Sequence, residues 1–387
     1  MLLAGVLGGV APVAAQAPSP AGFELLPGGT LDVRWASSAD EAVSAAPAFD
    51  AETAYVPLRG GRILALDLDT GRQRWAAAAD TTWAPAVGDG RVFLATNSGV
   101  GALDATSGGV LWERELPSPA AAPPYWDSGW LVVSLEGGDL MALRAADGEV
   151  QWTAPLGAVT QTAPAPALDA LFLSLGDGRV VALELATGRS KWTRQIEGRA
   201  TGVRALDDQL LVGTTARALH SLDLRNGRTR WRWRLGGAAV GAAAADDRRI
   251  YVVAYDHLLR AFDRGSGNLR WRRALPHRPA GSPKLVGTMV LVPLLSPEIS
   301  AYQAATGEPA LAIASTGEVS GDTYVRAGGS VGGTRLMAVS VEGRLLAFAP
   351  RVEPVPAPLD ALPGAAVREA APSQAAIPPP VGPRDRR

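Results

Sequence analysis

Cysteine is absent from the chain, and histidine occurs only as His220, His257 and His277. Disulfides and thiolate metal centres are therefore excluded, a lipid anchor on an N-terminal cysteine is not expected, and three scattered histidines make no zinc ligand set. An excess of charge of one sign is lacking too. Lys+Arg number 37 against 38 Asp+Glu, a net charge of -1, so no global field draws the protein to nucleic acid or to an anionic membrane. Long apolar runs are missing beyond the N-terminus, and no segment reaches the roughly 18 residues that a membrane-spanning helix needs. Stretches of about 10 to 15 residues with a 3.6-residue apolar period are also absent, which excludes helical repeats.

What is present begins with an export pattern. The stretch "LLAGVLGGVAPVAA" is apolar, too short to cross a bilayer, and followed by small residues around Ala15 and Ala17. Residues 1–17 are accordingly expected to be a signal peptide, although no Lys or Arg precedes Arg34 to form a positive n-region. Residues 18–30 are read as a linker, and a periplasmic or otherwise exported location is expected. At the other end, residues 351–387 hold "PVPAP" and "IPPP" among alanines, the composition of a disordered tail.

Between these ends the chain repeats itself. A turn ending in glycine is followed four residues later by tryptophan in "LDLDTGRQRW", "LDATSGGVLW", "LRAADGEVQW", "LELATGRSKW", "LDLRNGRTRW" and "FDRGSGNLRW". The tryptophans are Trp75, Trp112, Trp152, Trp192, Trp231 and Trp271, at spacings of 37, 40, 40, 39 and 40 residues. A seventh turn, "YQAATGEPAL", puts Leu311 where tryptophan belongs, and Trp35 in "LDVRW" lies 40 residues before Trp75, giving eight units.

Each unit reads as four short strands. Apolar runs such as "VFLAT", "WLVVSL" and "YVVAY" are β-branched and aromatic, and they are bounded by Gly and Asp. Segments of small residues, "APAV" or "VGAAAA", precede them and suit a crowded inner edge. Units of about 40 residues with four strands define an all-β, eight-bladed propeller over residues 31–350. The turn glycines Gly71, Gly108, Gly148, Gly188, Gly227, Gly267 and Gly307 supply positive φ, and the tryptophans are expected to pack between neighbouring blades. "LDVRW" has no unit before it, and the last unit, "RLMAVSV" with "LLAFAP", has no tryptophan strand after it. Pairing the two closes the ring and removes the open edges. A monomeric ring is expected.

The pattern A-L-D-x-x-T-G-x-x-x-W resembles the repeat of pyrroloquinoline-quinone-type propellers. That superfamily holds quinoprotein dehydrogenases and non-catalytic scaffolds of the BamB-like branch. The resemblance implies a scaffold for protein-protein interaction in the cell envelope, with a role in outer-membrane protein assembly and the β-barrel assembly machinery as partner. No enzyme activity and no cofactor are expected. The alternative is a quinoprotein dehydrogenase using the quinone with calcium; such enzymes are longer, and many stack the quinone on adjacent cysteines that this chain lacks. The scaffold branch is anchored through a lipidated cysteine, which is also missing here.

Several groups invite a site reading. Alternation along "GRTRWRWRL" puts Arg228, Arg230, Arg232 and Arg234 on one face of a strand, which suits a solvated outer face that discourages edge pairing, or a docking stripe for an acidic protein surface or anionic envelope polymer. Reversing Arg230 and Arg232 to Glu is then expected to weaken partner capture and spare stability. Tyr125 and Trp126 in "PPYWDSGW" read as buried core aromatics or as candidate rim anchors. Asp67 and Asp69 lack the glutamate of a calcium loop, Ala78 standing in its place, and read as turn residues, as do the pairs Asp207-Asp208 and Asp246-Asp247.

Overall fold

The computed structural model describes residues 23–25, 31–81, 83–96, 98–296, 298–315, 324–326, 335–339 and 343–350. The expected signal peptide and the tail over residues 351–387 lie outside them. All secondary structure among the described residues is strand, arranged as eight antiparallel sheets that follow one another along the chain. These are blade 1 (48–78), blade 2 (86–115), blade 3 (125–155), blade 4 (165–195), blade 5 (200–234), blade 6 (244–274), blade 7 (284–315) and blade 8 (324–350 with 31–38). The protein is an eight-bladed β-propeller.

Blade 4 shows the plan: Ala165–Ala167 innermost, then Ala170–Ser174, Arg179–Glu184 and Ser190–Gln195 at the outer edge. The inner strand is short and built of small residues because the blades crowd together there. The two middle strands are buried on both faces, Leu171, Leu173, Val180 and Leu183 being at most 1% exposed. Such strands read as continuous apolar runs because a neighbouring blade covers each face.

Ring closure follows the expectation. Leu31–Ser38 pairs antiparallel with Arg344–Pro350 and forms the outer strand of blade 8. The stretch expected as linker departs from that reading, since Phe23–Leu25 pairs with Ile313–Ser315 as a fifth strand on the outer edge of blade 7. The added strand satisfies backbone groups that the edge would otherwise leave open.

One irregularity recurs in register. Opposite each marker tryptophan stands a small residue of the third strand: Ala65, Ala102, Ala142, Ala182, Ser221 and Ala261 face Trp75, Trp112, Trp152, Trp192, Trp231 and Trp271, and Ala347 faces Trp35. Just before the tryptophan the register slips, so Arg74, Leu111, Gln151, Lys191, Arg230 and Arg270 are bulge residues without a partner. A bulge sharpens the local twist and re-aims the next side chain. That aims the indole at the neighbouring blade.

Candidate functional site

The seams between blades are built from the two residues that the repeat preserves. Trp35, Trp75, Trp112, Trp152, Trp192 and Trp271 each donate Nε1–H to a turn carbonyl of the next blade: Leu68, Ala105, Ala145, Leu185, Leu224 and Ala304, at 2.8–3.2 Å. Three residues beyond each carbonyl is a turn glycine with φ between 68° and 74°. A Cβ on any of the seven glycines would lie 2.5–2.7 Å from an indole carbon of the preceding blade. Glycine is thus required twice, by backbone conformation and by the ring against it. In blades 2, 4 and 6 an arginine two residues after the tryptophan adds a second latch, Arg114, Arg194 and Arg273 donating Nε–H to Gly148, Gly227 and Gly307 carbonyls.

The seam from blade 5 to blade 6 is different. Trp231 lies on Gly267 like its counterparts, but its Nε1–H is buried without an acceptor. The carbonyl it would meet, Arg264 O, accepts instead from Gln209 Nε2 at 2.9 Å, and Gln209 Oε1 accepts from the Ser221 hydroxyl at 2.6 Å. Gln209 is 1% exposed. A second indole, Trp233, joins the seam with its ring 5.2 Å from Phe262. Outside, the Arg264 guanidinium reaches back to Asp207 at 2.9 Å and Asp208 at 3.4 Å. Sequence reading missed this bolt, although Ser221 in an alanine position signals it.

The arginine stripe is half neutralised. The Arg230 guanidinium pairs with Asp208 and, at 3.2 Å, with Asp223 in its own turn, while Arg232 pairs with Glu197 in the loop between blades 4 and 5. The same staple joins Arg74 to Asp67 and Arg270 to Asp263, each at 2.6 Å. It holds the Asp67 carboxyl down at about 2 and Asp263 well below the carboxylate range, through the arginine bond first and the turn hydroxyls and amides after it. Arg228 and Arg234 are exposed and in no ion pair among the described residues. Reversing Arg230 and Arg232 therefore also breaks intramolecular pairs and sets Glu beside Asp208 and Asp223, so the expectation of untouched stability does not hold.

Of the two readings of Tyr125 and Trp126, the structure has the packed one and not the rim. They form the inner strand of blade 3, Tyr125–Asp127, where Trp126 lies across Gly88 of blade 2 and both rings are half-buried in the packing between blades. Burial first, then Asp127, pushes the Tyr125 phenol up. Asp67 caps its own turn through the Asp69 and Thr70 amides, and Asp246 does the same for Arg248 and Arg249.

The recess lined by Asp207, Asp208, Asp247, Arg248, Arg264 and Arg270 has a volume of about 860 Å³ and lies beside the bolt. Its carboxylates do not converge: Asp207 and Asp208 turn to arginines, and neighbouring Asp246 accepts the Tyr251 hydroxyl at 2.6 Å. No group of three or more His, Asp or Glu among the described residues could hold a metal ion. This donor set does not fit a calcium-quinone centre.

Sheet order, the turn-glycine seams and strand closure define a propeller of the pyrroloquinoline-quinone type. The chain belongs to the family described as "Outer membrane protein assembly factor BamB", whose model matches residues 29–101, 78–209 and 197–355. Outer membrane protein assembly factor BamB of Bordetella pertussis is 34% identical over 129 residues. That match covers 31% of this chain and 32% of the relative, so the chain spans about a third of its length. BamB from Moraxella catarrhalis has the same fold, with a TM-score of 0.67 at 20% identity over 82% of this chain and 99% of that one. The quinohemoprotein alcohol dehydrogenase of Comamonas testosteroni has it too, with a TM-score of 0.68 at 14% identity, covering 84% and 78%.

Proposed function

We propose that the protein is a non-catalytic scaffold of the cell envelope that docks other proteins during outer-membrane protein assembly. The family match carries this reading, because it runs through all eight blades. The chemistry agrees with it. Carboxylates at the turns are consumed by capping and by arginine staples, and the large recess offers paired charges without a free donor set. Export to the periplasm follows from the same role and from the apolar N-terminal stretch. On this reading the partner is the β-barrel assembly machinery, and no helix among the described residues is long and apolar enough to cross a membrane.

The test is direct binding between the full chain and the purified periplasmic region of the barrel-assembly protein from the same organism. Saturable 1:1 binding is expected, and its absence would remove the assembly role. The same preparation incubated with pyrroloquinoline quinone and calcium should reduce no dye in the presence of alcohols; turnover would replace the scaffold by a dehydrogenase.

A further inference from the structure

On the face that carries the turns between second and third strands, the repeat shows where blades 6 and 7 depart from blades 1, 3, 4 and 5. After the bridge that ends the second strand, one residue donates its N–H to the loop entering the same blade. It is Arg59 in blade 1, Glu136 in blade 3, Gly176 in blade 4 and Thr215 in blade 5, with acceptors Ala42, Pro119, Val159 and Arg199. In blade 6 it is Tyr255, bonded to Ala238 O at 3.0 Å, and in blade 7 Leu295, bonded to Arg278 O at 2.7 Å. Polar or small in those four blades, the position becomes large and apolar in two adjacent ones, with Tyr255 46% and Leu295 61% exposed.

Arg278 joins the two. Its backbone carbonyl holds Leu295, while its guanidinium carbon sits 4.6 Å from the centroid of the Tyr255 ring. The acid of that turn, Asp256, is consumed by Arg260 on its own blade and by the Gly236 amide. Arg278 is exposed and in no ion pair among the described residues, and exposed His277 precedes it. The surface is thus a strip of aromatic, cation and aliphatic side chain with unbalanced positive charge. Tyrosine and arginine are among the residue types enriched as interface anchors.

Resting on the reading of the chain as a docking scaffold, we propose that the strip Tyr255, Arg278 and Leu295 receives a partner protein that presents an apolar side chain bordered by carboxylates. The apolar side chain lies between Tyr255 and Leu295, and the carboxylate pairs with Arg278, whose charge no described acid offsets.

Two arms test it with the full chain. A fluorescein-labelled peptide of Leu and Phe flanked by Asp and Glu, followed by anisotropy, judges the strip itself; the barrel-assembly protein judges the scaffold reading. The variant Tyr255→Glu/Leu295→Glu places at both turns the residue that blade 3 already carries as Glu136, so its melting temperature should match the wild type. Peptide affinity is expected to fall at least about tenfold in that variant and in Arg278→Glu, and a peptide with Lys in place of the acids should not bind. Peptide binding that is absent, or equal in wild type and variants, overturns the strip whatever the other arm gives. Strip-dependent peptide binding without binding of the barrel-assembly protein upholds the strip and removes the assembly role.

Discussion

Between blades 4 and 5, the Trp192 indole covers Gly227 and its N–H bonds the Leu224 carbonyl; between blades 5 and 6, Trp231 covers Gly267 but leaves the Arg264 carbonyl to Gln209. Both seams meet one requirement, that a buried turn carbonyl find a donor, since an orphaned buried acceptor costs about 1–3 kcal/mol. They differ in where the donor comes from. The common seam spends a single side chain on packing and bonding together. The exceptional one divides the tasks, with two indoles for packing and Gln209 held by Ser221 for bonding. A hydrogen-bond partner in a repeat can thus be exchanged while the packing partner, indole on glycine, stays.

If that comparison is right, the glycines should matter equally at both seams. Gly227→Val and Gly267→Val each drive a side chain into an indole at positive φ and should cost about 3 kcal/mol or more, read as a lower urea midpoint. A large difference between them would show that the packing is not shared. Next in size is Gln209→Leu, which strips the Arg264 carbonyl of its donor and should cost about 1–3 kcal/mol. Adding Ser221→Ala makes the ladder like that of the other blades and frees Trp231 to take the carbonyl. Part of the loss should return, and a purely additive double variant would break the idea of exchangeable donors. Smaller still is the contrast between Trp192→Phe and Trp231→Phe. Only the first loses a hydrogen bond, so it should be the more destabilising by about 1 kcal/mol.

Acid sharpens the same contrast. His220, on the face of blade 5 turned to blade 4, is 6% exposed; burial and then Arg232 push its pKa below 6.5, against the opposing pull of Glu197. The unfolded chain therefore takes up the proton first, so stability should decline as pH falls below about 6.5, and His220→Leu should lack that decline in melts. The turn staples act lower. Asp67 falls from 3.8 to about 2 in the folded state, so its contribution is present above 3.8 and is lost as pH drops through that interval. Asp67→Asn should flatten that part of the melting profile.

Much of this architecture is legible in residue order. The spacing of Trp75 through Trp271 with their glycines, and the unpaired "LDVRW" strand, already imply eight blades and their closure, because the period of the chain is the period of the fold. Candidate docking residues were far less legible. Alternation places Arg230 and Arg232 on a strand face but says nothing of Asp208 and Glu197, which lie 22 and 35 residues away and meet them only across turns and seams. Tyr125 and Trp126 look like loop aromatics until the inner strand of blade 3 lies against Gly88. Phe23–Leu25 shows no period of its own and gains its strand from the edge of blade 7.

The sequence by itself determined how many blades there are, where each turns, and which tryptophans pack between neighbours, since those depend on local conformation and on a residue repeated at fixed separation. Only the tertiary structure decided which donors serve which carbonyls, which charges remain unpaired, and that Tyr255, Arg278 and Leu295 share one surface. Those outcomes depend on side chains brought together by the ring from separate units, and no pattern along one unit records its neighbour.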